Sequence, residues 1–186
     1  MLEKQLSKEA KWFLRNLQII QDDFAGSIGG QIVTTDREGN LITEMSGAQE
    51  ACKIIAGTEK GKQRCQEAYK NALSLVKSLK EPAFMDCHAG FASLWVPIKI
   101  DGQIVGSVTG CGGRFEKGES EEELEEKYLK IAEDLGIEDK ESFVKASVQG
   151  ISPVTQEEMK ERSERLVKLV GVLAEETALK ELFSIE

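Results

Sequence analysis

Histidine, proline and aromatic residues are scarce in this chain of 186 residues, and long apolar runs are missing. The single histidine, His88, excludes any site that takes two or more imidazoles from one chain. No apolar run approaches the roughly 20 residues that span a bilayer. The N-terminal stretch also lacks the apolar segment of a signal peptide. We therefore expect a cytoplasmic protein with no membrane partner.

Positive charge is also in short supply, with 24 Lys and Arg against 33 Asp and Glu. The net charge of -9 gives a surface that repels phosphate backbones, so a direct nucleic-acid partner is not expected. The composition, 40% hydrophobic and 31% charged, is that of an ordinary globular protein. The length suits one domain with its own core, and we predict a single domain over residues 1–186.

The signatures of common enzyme classes are missing as well. We find no Ser-His-Asp set, phosphate-binding loop or paired-carboxylate motif. A hydrolase or a kinase is therefore not favoured. An enzyme that uses a thiol or a metal cluster stays open.

The two ends of the chain have helical spacing of apolar residues. We predict an N-terminal helix over residues 2–24, in which apolar residues recur at alternating steps of four and three. This spacing suits a helix that packs on its own domain, or a coiled-coil seam that would make a homodimer. A C-terminal helix with a broad apolar face is predicted over residues 155–182.

The core, residues 28–150, mixes short β-rich runs with helical segments. Tight turns at residues 36–40 and 101–102 predict antiparallel hairpins. Helices should then cover one face of the sheet. The sequence predicts an α+β fold of PAS-like and GAF-like layout, with a five-stranded antiparallel sheet flanked by helices and long helices at both ends. The predicted strands are 31–35, 41–44, 83–87, 93–100 and 103–109; the predicted core helices are 48–56, 58–80, 121–135 and 140–149.

Four cysteines carry the most informative chemistry: Cys52, Cys65, Cys87 and Cys111. In a cytosolic protein structural disulfides are disfavoured, so the thiols are buried hydrophobes, metal ligands or reactive groups. The gaps of 12, 21 and 23 residues are unlike the tight pairs of zinc ribbons and bacterial ferredoxins. Spacing alone therefore favours buried, inert thiols.

The predicted positions of these cysteines favour a shared site. Cys52 and Cys65 lie on consecutive helices, whereas Cys87 ends one strand and Cys111 lies just past the end of another. Both strands should neighbour the central hairpin strand, so the four thiols can converge at one edge of a pocket. Four convergent thiolates suit an iron–sulfur cluster, or zinc as the alternative. We prefer the cluster, because a sensory fold gains from a redox-responsive centre.

His88 and nearby aromatic residues are candidates for a ligand pocket. His88 could be a metal ligand, a donor to a cluster sulfur or a core imidazole. Because neighbours in a strand point to opposite faces, we expect its side chain to point away from that of Cys87. We predict that Phe84, His88, Phe91 and Trp95 line a small-molecule site, with ordinary core packing as the alternative for the aromatic side chains.

Three stretches carry a family resemblance: residues 51–55 with Cys65, residues 87–91 and residues 96–106. Together they resemble the PocR sensory-domain family over residues 15–180. The resemblance implies a cytoplasmic ligand-sensing domain with a PAS-like core, and places Cys52, Cys65 and Cys87 at family positions. The chain departs from the family at residues 110–113, where an extra cysteine replaces a glutamine-bearing step. No output domain is visible, so we expect either a stand-alone sensor with a downstream regulatory partner or a piece of a longer protein.

The sequence leaves three functions open. The first is a sensor whose cysteine-held centre responds to redox state or a small molecule and shifts the terminal helices. The second is a metal-free module that binds a small molecule. The third is an enzyme or accessory protein of a cofactor pathway.

Overall fold

A computed structural model describes residues 8–100 and 102–173 of the chain. These residues form six helices and five strands. The helices are α1 (Lys8–Ile28), α2 (Glu50–Ala56), α3 (Glu59–Leu79), α4 (Glu121–Leu135), α5 (Lys140–Gln149) and α6 (Gln156–Leu173). The strands are β1 (Gln31–Asp36), β2 (Ala83–Asp86), β3 (Ala92–Ile100), β4 (Gln103–Phe115) and β5 (Pro153–Val154).

The sheet is built around the β3–β4 hairpin. Its order is β1-β4-β3-β2, and these four strands pair antiparallel. The two-residue β5 adds a parallel pairing to the end of β4. The α+β fold with a five-stranded sheet of PAS-like and GAF-like type is confirmed, and β3 lies between β2 and β4 as predicted.

The fifth strand is not the predicted one. Residues 41–44 form no strand, and residues 41–46 touch β1 through two isolated bridges, Thr35–Leu41 and Ile32–Ser46. Between the bridges, two residues of β1 face four residues of the partner segment, so the segment bulges away from the sheet. The backbone of Glu44, in the bulge, bonds to side chains of α1 instead of to β1. The predicted hairpin therefore closes only at its two ends.

Helices cover both faces of the sheet, whereas the sequence predicts that helices cover one face. Apolar side chains of α1 and α6 pack against Leu94, Val96 and Ile98 of β3. On the other face, α3 packs against Ala83 and Trp95. Strand β3 is apolar at successive positions, which is the pattern of a strand buried on both sides.

The terminal helices pack on the domain itself. Phe13, Leu17 and Phe24 of the predicted seam are buried in the core beside the sheet, which favours intramolecular packing over a dimer seam. Helix α1 continues four residues beyond the predicted end. Residues 2–7 and 174–182 of the two predicted terminal helices lie outside the described residues.

Capping side chains set the helix that carries Cys65. The Thr58 hydroxyl accepts a hydrogen bond from the Gly61 backbone N–H at 2.9 Å and begins α3. Gln49 occupies the N-cap position of the preceding helix, α2, and the Ser46 hydroxyl bonds to α1. The predicted bounds of α4 and α5 are confirmed.

We expect Gly112→Ala to destabilise the protein by about 1–3 kcal/mol, as overpacking does. A Cβ atom there would lie 2.7 Å from the Gly30 Cα, where β1 and β4 approach closely. Urea unfolding measures the effect. The matched control is Gly26→Ala in α1, where nothing lies within 4 Å of the added Cβ. That change should stabilise the protein by roughly 0.5–1 kcal/mol. Equal effects of the two variants would contradict this packing.

Candidate functional site

One face of the sheet, together with α2 and α3, encloses a cavity of about 280 Å³. Its wall combines thiols, aromatic rings and a few uncharged polar groups. Among the residues that line it are Gln31, Leu41, Met45, Cys52, Cys65, Tyr69, Cys87, His88, Phe91, Ser93, Trp95, Thr109 and Cys111.

All four predicted cysteines line this cavity, and all four are free thiols. Cys52 lies on α2, Cys65 on α3, and Cys87 directly after β2. Cys111 lies within β4 and not past its end, because this strand continues to Phe115. The four elements bring the thiols together as the sequence analysis expected.

Three of the four thiols have a close side-chain neighbour. The Cys65 Sγ lies 3.2 Å from the His88 Nε2. Cys87 and Cys111 share a hydrogen bond between their side chains, and the Ser93 hydroxyl lies 3.0 Å from the Cys111 Sγ. Across residues 8–100 and 102–173, no three Cys, His, Asp or Glu side chains are arranged to hold a metal ion. As they stand, the thiols share a cavity without forming a preformed metal site.

His88 points into the cavity with Cys87, contrary to the expectation that the two would diverge. Strand β2 ends at Asp86, and the Gly90 N–H donates to the Cys87 carbonyl at 2.9 Å to close a turn. Strand alternation therefore no longer applies at Cys87. The Nδ1 atom of His88 is buried and has no hydrogen-bond partner among the described residues.

The predicted aromatic set is divided between the two faces of the sheet. Phe91 and Trp95 line the cavity. Phe84 pairs with Leu94 and packs with it in the core beneath α1 and α6. Directly paired residues share a face, so Phe84 and Trp95 lie on opposite sides.

Two polar residues of the wall were missed by the sequence analysis. The Gln31 Nε2 donates to the Tyr69 hydroxyl at 3.2 Å. The Gln31 Oε1 and the Thr109 Oγ1 are buried and lack hydrogen-bond partners in the described part of the chain. The detectable signal was the polar alternation of β4, in which Ser107, Thr109 and Cys111 recur every second residue.

Burial keeps most of the titratable side chains of the cavity wall uncharged. Burial, followed by the negative charge of a Cys87 thiolate, raises the pKa of Cys52 to about 12 and that of Cys65 to about 11. The hydrogen bond from Cys111 lowers the pKa of Cys87, and the same bond raises the pKa of Cys111. Burial, and then the charge of Arg64, lowers the pKa of His88. Cys87 is therefore the thiol best able to ionise.

A family model for the sensory domain found in PocR matches residues 13–178. The chain belongs to the PocR sensory-domain family. Every residue of the cavity wall lies inside the matched range, so the cavity is part of the PocR domain itself. No curated protein matches the chain. Among the described helices of this PocR domain, none is long and apolar enough to cross a membrane.

We expect the cavity thiols to differ in how their alkylation depends on pH. With metal removed, iodoacetamide labelling of Cys52 and Cys65 should rise about tenfold per pH unit between about pH 7 and 9, because only thiolates react. Their pKa values, about 12 and 11, lie above that range. Labelling of Cys87, whose pKa is lowered, should level off earlier. Peptide mass spectrometry measures all three rates in one sample. A Cys52 rate that flattens near neutral pH would contradict the assigned environment.

Proposed function

We propose that this PocR domain is a cytoplasmic sensor that binds a small uncharged organic molecule in the thiol-lined cavity. The observation that supports this most directly is the charge of the wall. Of the described residues that line the cavity, Lys62 alone carries a permanent charge and pairs with Glu59 at 2.6 Å, whereas Cys87 ionises only in part. A charged ligand would lose its hydration without gaining a buried partner of opposite charge, which is costly.

The size and polar groups of the cavity narrow the ligand further. A volume of about 280 Å³ lies just below the range of about 300–1,000 Å³ that ligand pockets usually span. The wall is mainly apolar, but Gln31 and Thr109 each keep an oxygen without a hydrogen-bond partner among the residues that the structure describes. A buried oxygen of this kind favours a ligand that supplies a hydrogen bond. The proposed ligand therefore has an apolar body and one or two hydrogen-bonding groups.

A second candidate is a centre held by the thiolates, with an iron–sulfur cluster preferred and zinc as the alternative. The specific observation in its favour is that all four cysteines of the chain line one cavity. Burial and then a thiolate at Cys87 raise the pKa of Cys52 and Cys65, and a bound cation would relieve the repulsion between the thiolates. Because the described side chains form no group of three metal ligands, ligation requires the cysteine side chains to rotate toward a common point.

The output of the sensor is part of the same proposal. A ligand changes the domain only through different affinities for two conformations. A downstream regulatory protein, or a second copy of the chain, would then read the conformation that the ligand favours. The enzyme hypothesis remains a prediction that measured turnover would address.

Thr109→Val should weaken binding of an uncharged ligand about two- to tenfold, because one hydrogen bond contributes about 0.5–1.5 kcal/mol. The probes are short-chain alcohols, ketones and amides, with their charged analogues alongside. A Trp12→Phe background leaves Trp95, in the cavity wall, as the one tryptophan for fluorescence titration. The matched control is Thr35→Val, a buried threonine outside the cavity wall, which should leave affinity unchanged. Binding of charged probes alone would overturn the proposal.

Anaerobically purified protein distinguishes the two candidates. Iron, sulfide and zinc analysis, with visible absorption before and after reduction, should find no stoichiometric metal if the ligand is organic. Stoichiometric iron and sulfide, lost on Cys111→Ser, would instead favour the thiolate-held centre. Circular dichroism of the Cys111→Ser variant checks that the fold survives the substitution.

A further inference from the structure

The outer wall of the cavity is formed by the bulged segment after β1. Leu41 and Met45 line the cavity, yet their exposed fractions are 43% and 40%. These side chains therefore have the cavity on one side and solvent on the other. We name residues 41–46 the flap.

The flap is attached to α1 through one buried glutamine. Gln21 is 2% exposed. Its Oε1 accepts hydrogen bonds from the Thr43 hydroxyl at 2.8 Å and from the Thr34 hydroxyl at 2.9 Å. Its Nε2 donates to the Ser46 hydroxyl and to the Glu44 carbonyl, both at 2.7 Å. The side chain of Gln21 thus bonds to three residues of the flap, Thr43, Glu44 and Ser46, and to one residue of β1, Thr34.

Two neighbours of Gln21 complete the attachment. The Glu44 N–H donates to the Gln18 Oε1 at 2.9 Å. The Ser46 hydroxyl donates to the Asp22 carboxylate at 2.5 Å. Both groups of the Glu44 backbone are therefore satisfied by α1, in the part of the flap that β1 does not pair.

We propose that the flap couples occupation of the cavity to α1. An occupant that displaces Leu41 or Met45 must either carry the attached turn of α1 with it or leave Gln21 with unsatisfied buried groups. Unsatisfied buried amide groups are costly, so the flap and α1 change together. This inference rests on the proposed function only in taking the cavity as the sensing site.

The test uses a covalent occupant and hydrogen exchange. With metal removed, iodoacetamide alkylates the cavity thiols of the full chain, releasing iodide, and each acetamide group stays attached to sulfur. Amide exchange is then measured by mass spectrometry. We expect exchange in residues 41–46 and in residues 16–24 of α1 to rise together, roughly three- to tenfold, while β3 and β4 stay protected.

Gln21→Met separates coupling from simple opening. This substitution removes the hydrogen bonds of the Gln21 side chain and nearly preserves its volume. Alkylation of this variant should still speed exchange in the flap but change α1 less than in the wild type, because the bonds from Gln18 and Asp22 to the flap remain. The matched control is Gln63→Met, an exposed glutamine of α3 whose side chain donates to the Glu67 carboxylate at 2.9 Å; it should respond as the wild type does.

Two results would overturn the coupling. One is faster exchange in the flap of the alkylated wild type with no change in α1. The other is an α1 response as large in Gln21→Met as in the wild type. If acetamide groups unfold the protein, methyl methanethiosulfonate gives a smaller adduct for the same comparison. Failure of every organic probe to bind would contradict the proposed function but would leave the hydrogen-exchange measurement unaffected.

Discussion

The two-residue alternation of the β3–β4 hairpin is the constraint on which the site depends. Residues that pair directly across the hairpin share a face, so Ser93 and Cys111 lie together toward the cavity. Leu94 points to the opposite face, where α1 and α6 cover it. A shift of one residue in this pairing would exchange the apolar core and the thiol-lined wall. The register of one hairpin therefore fixes which side chains can meet a ligand.

Burial then determines the chemistry available to those side chains. A thiol in a low-dielectric wall remains neutral unless a hydrogen bond or a cation favours its anion. Cys87 has such support from Cys111 and from the Ala89 N–H, whereas burial dominates at Cys52. The same wall is thus mostly neutral toward an organic ligand and retains one sulfur that ionises more readily. This division connects the two candidate functions, because both use the same cavity in different protonation states.

The sequence predicted the elements of the fold better than their local departures from regularity. Caps and apolar periodicity placed α4 and α5 correctly, since these signals act within a few residues. The strand expected at residues 41–44 failed because its pairing depends on glutamines of α1, far away in sequence. The direction of His88 was missed because β2 ends one residue early, and alternation ends with it. Convergence of the cysteines was predictable from topology, but the pairing of Cys65 with His88 required coordinates.

The order of the strands also determines how the sheet meets its surroundings. One lateral edge is β1, which the bulged flap partly shields through its two bridges. The other is β2, which has only four residues and ends in Asp86, paired with Lys117 at 2.5 Å. Short, charged edge strands resist addition of a foreign strand. The architecture therefore disfavours assembly by sheet extension, and association of this domain with other proteins should proceed through its helices.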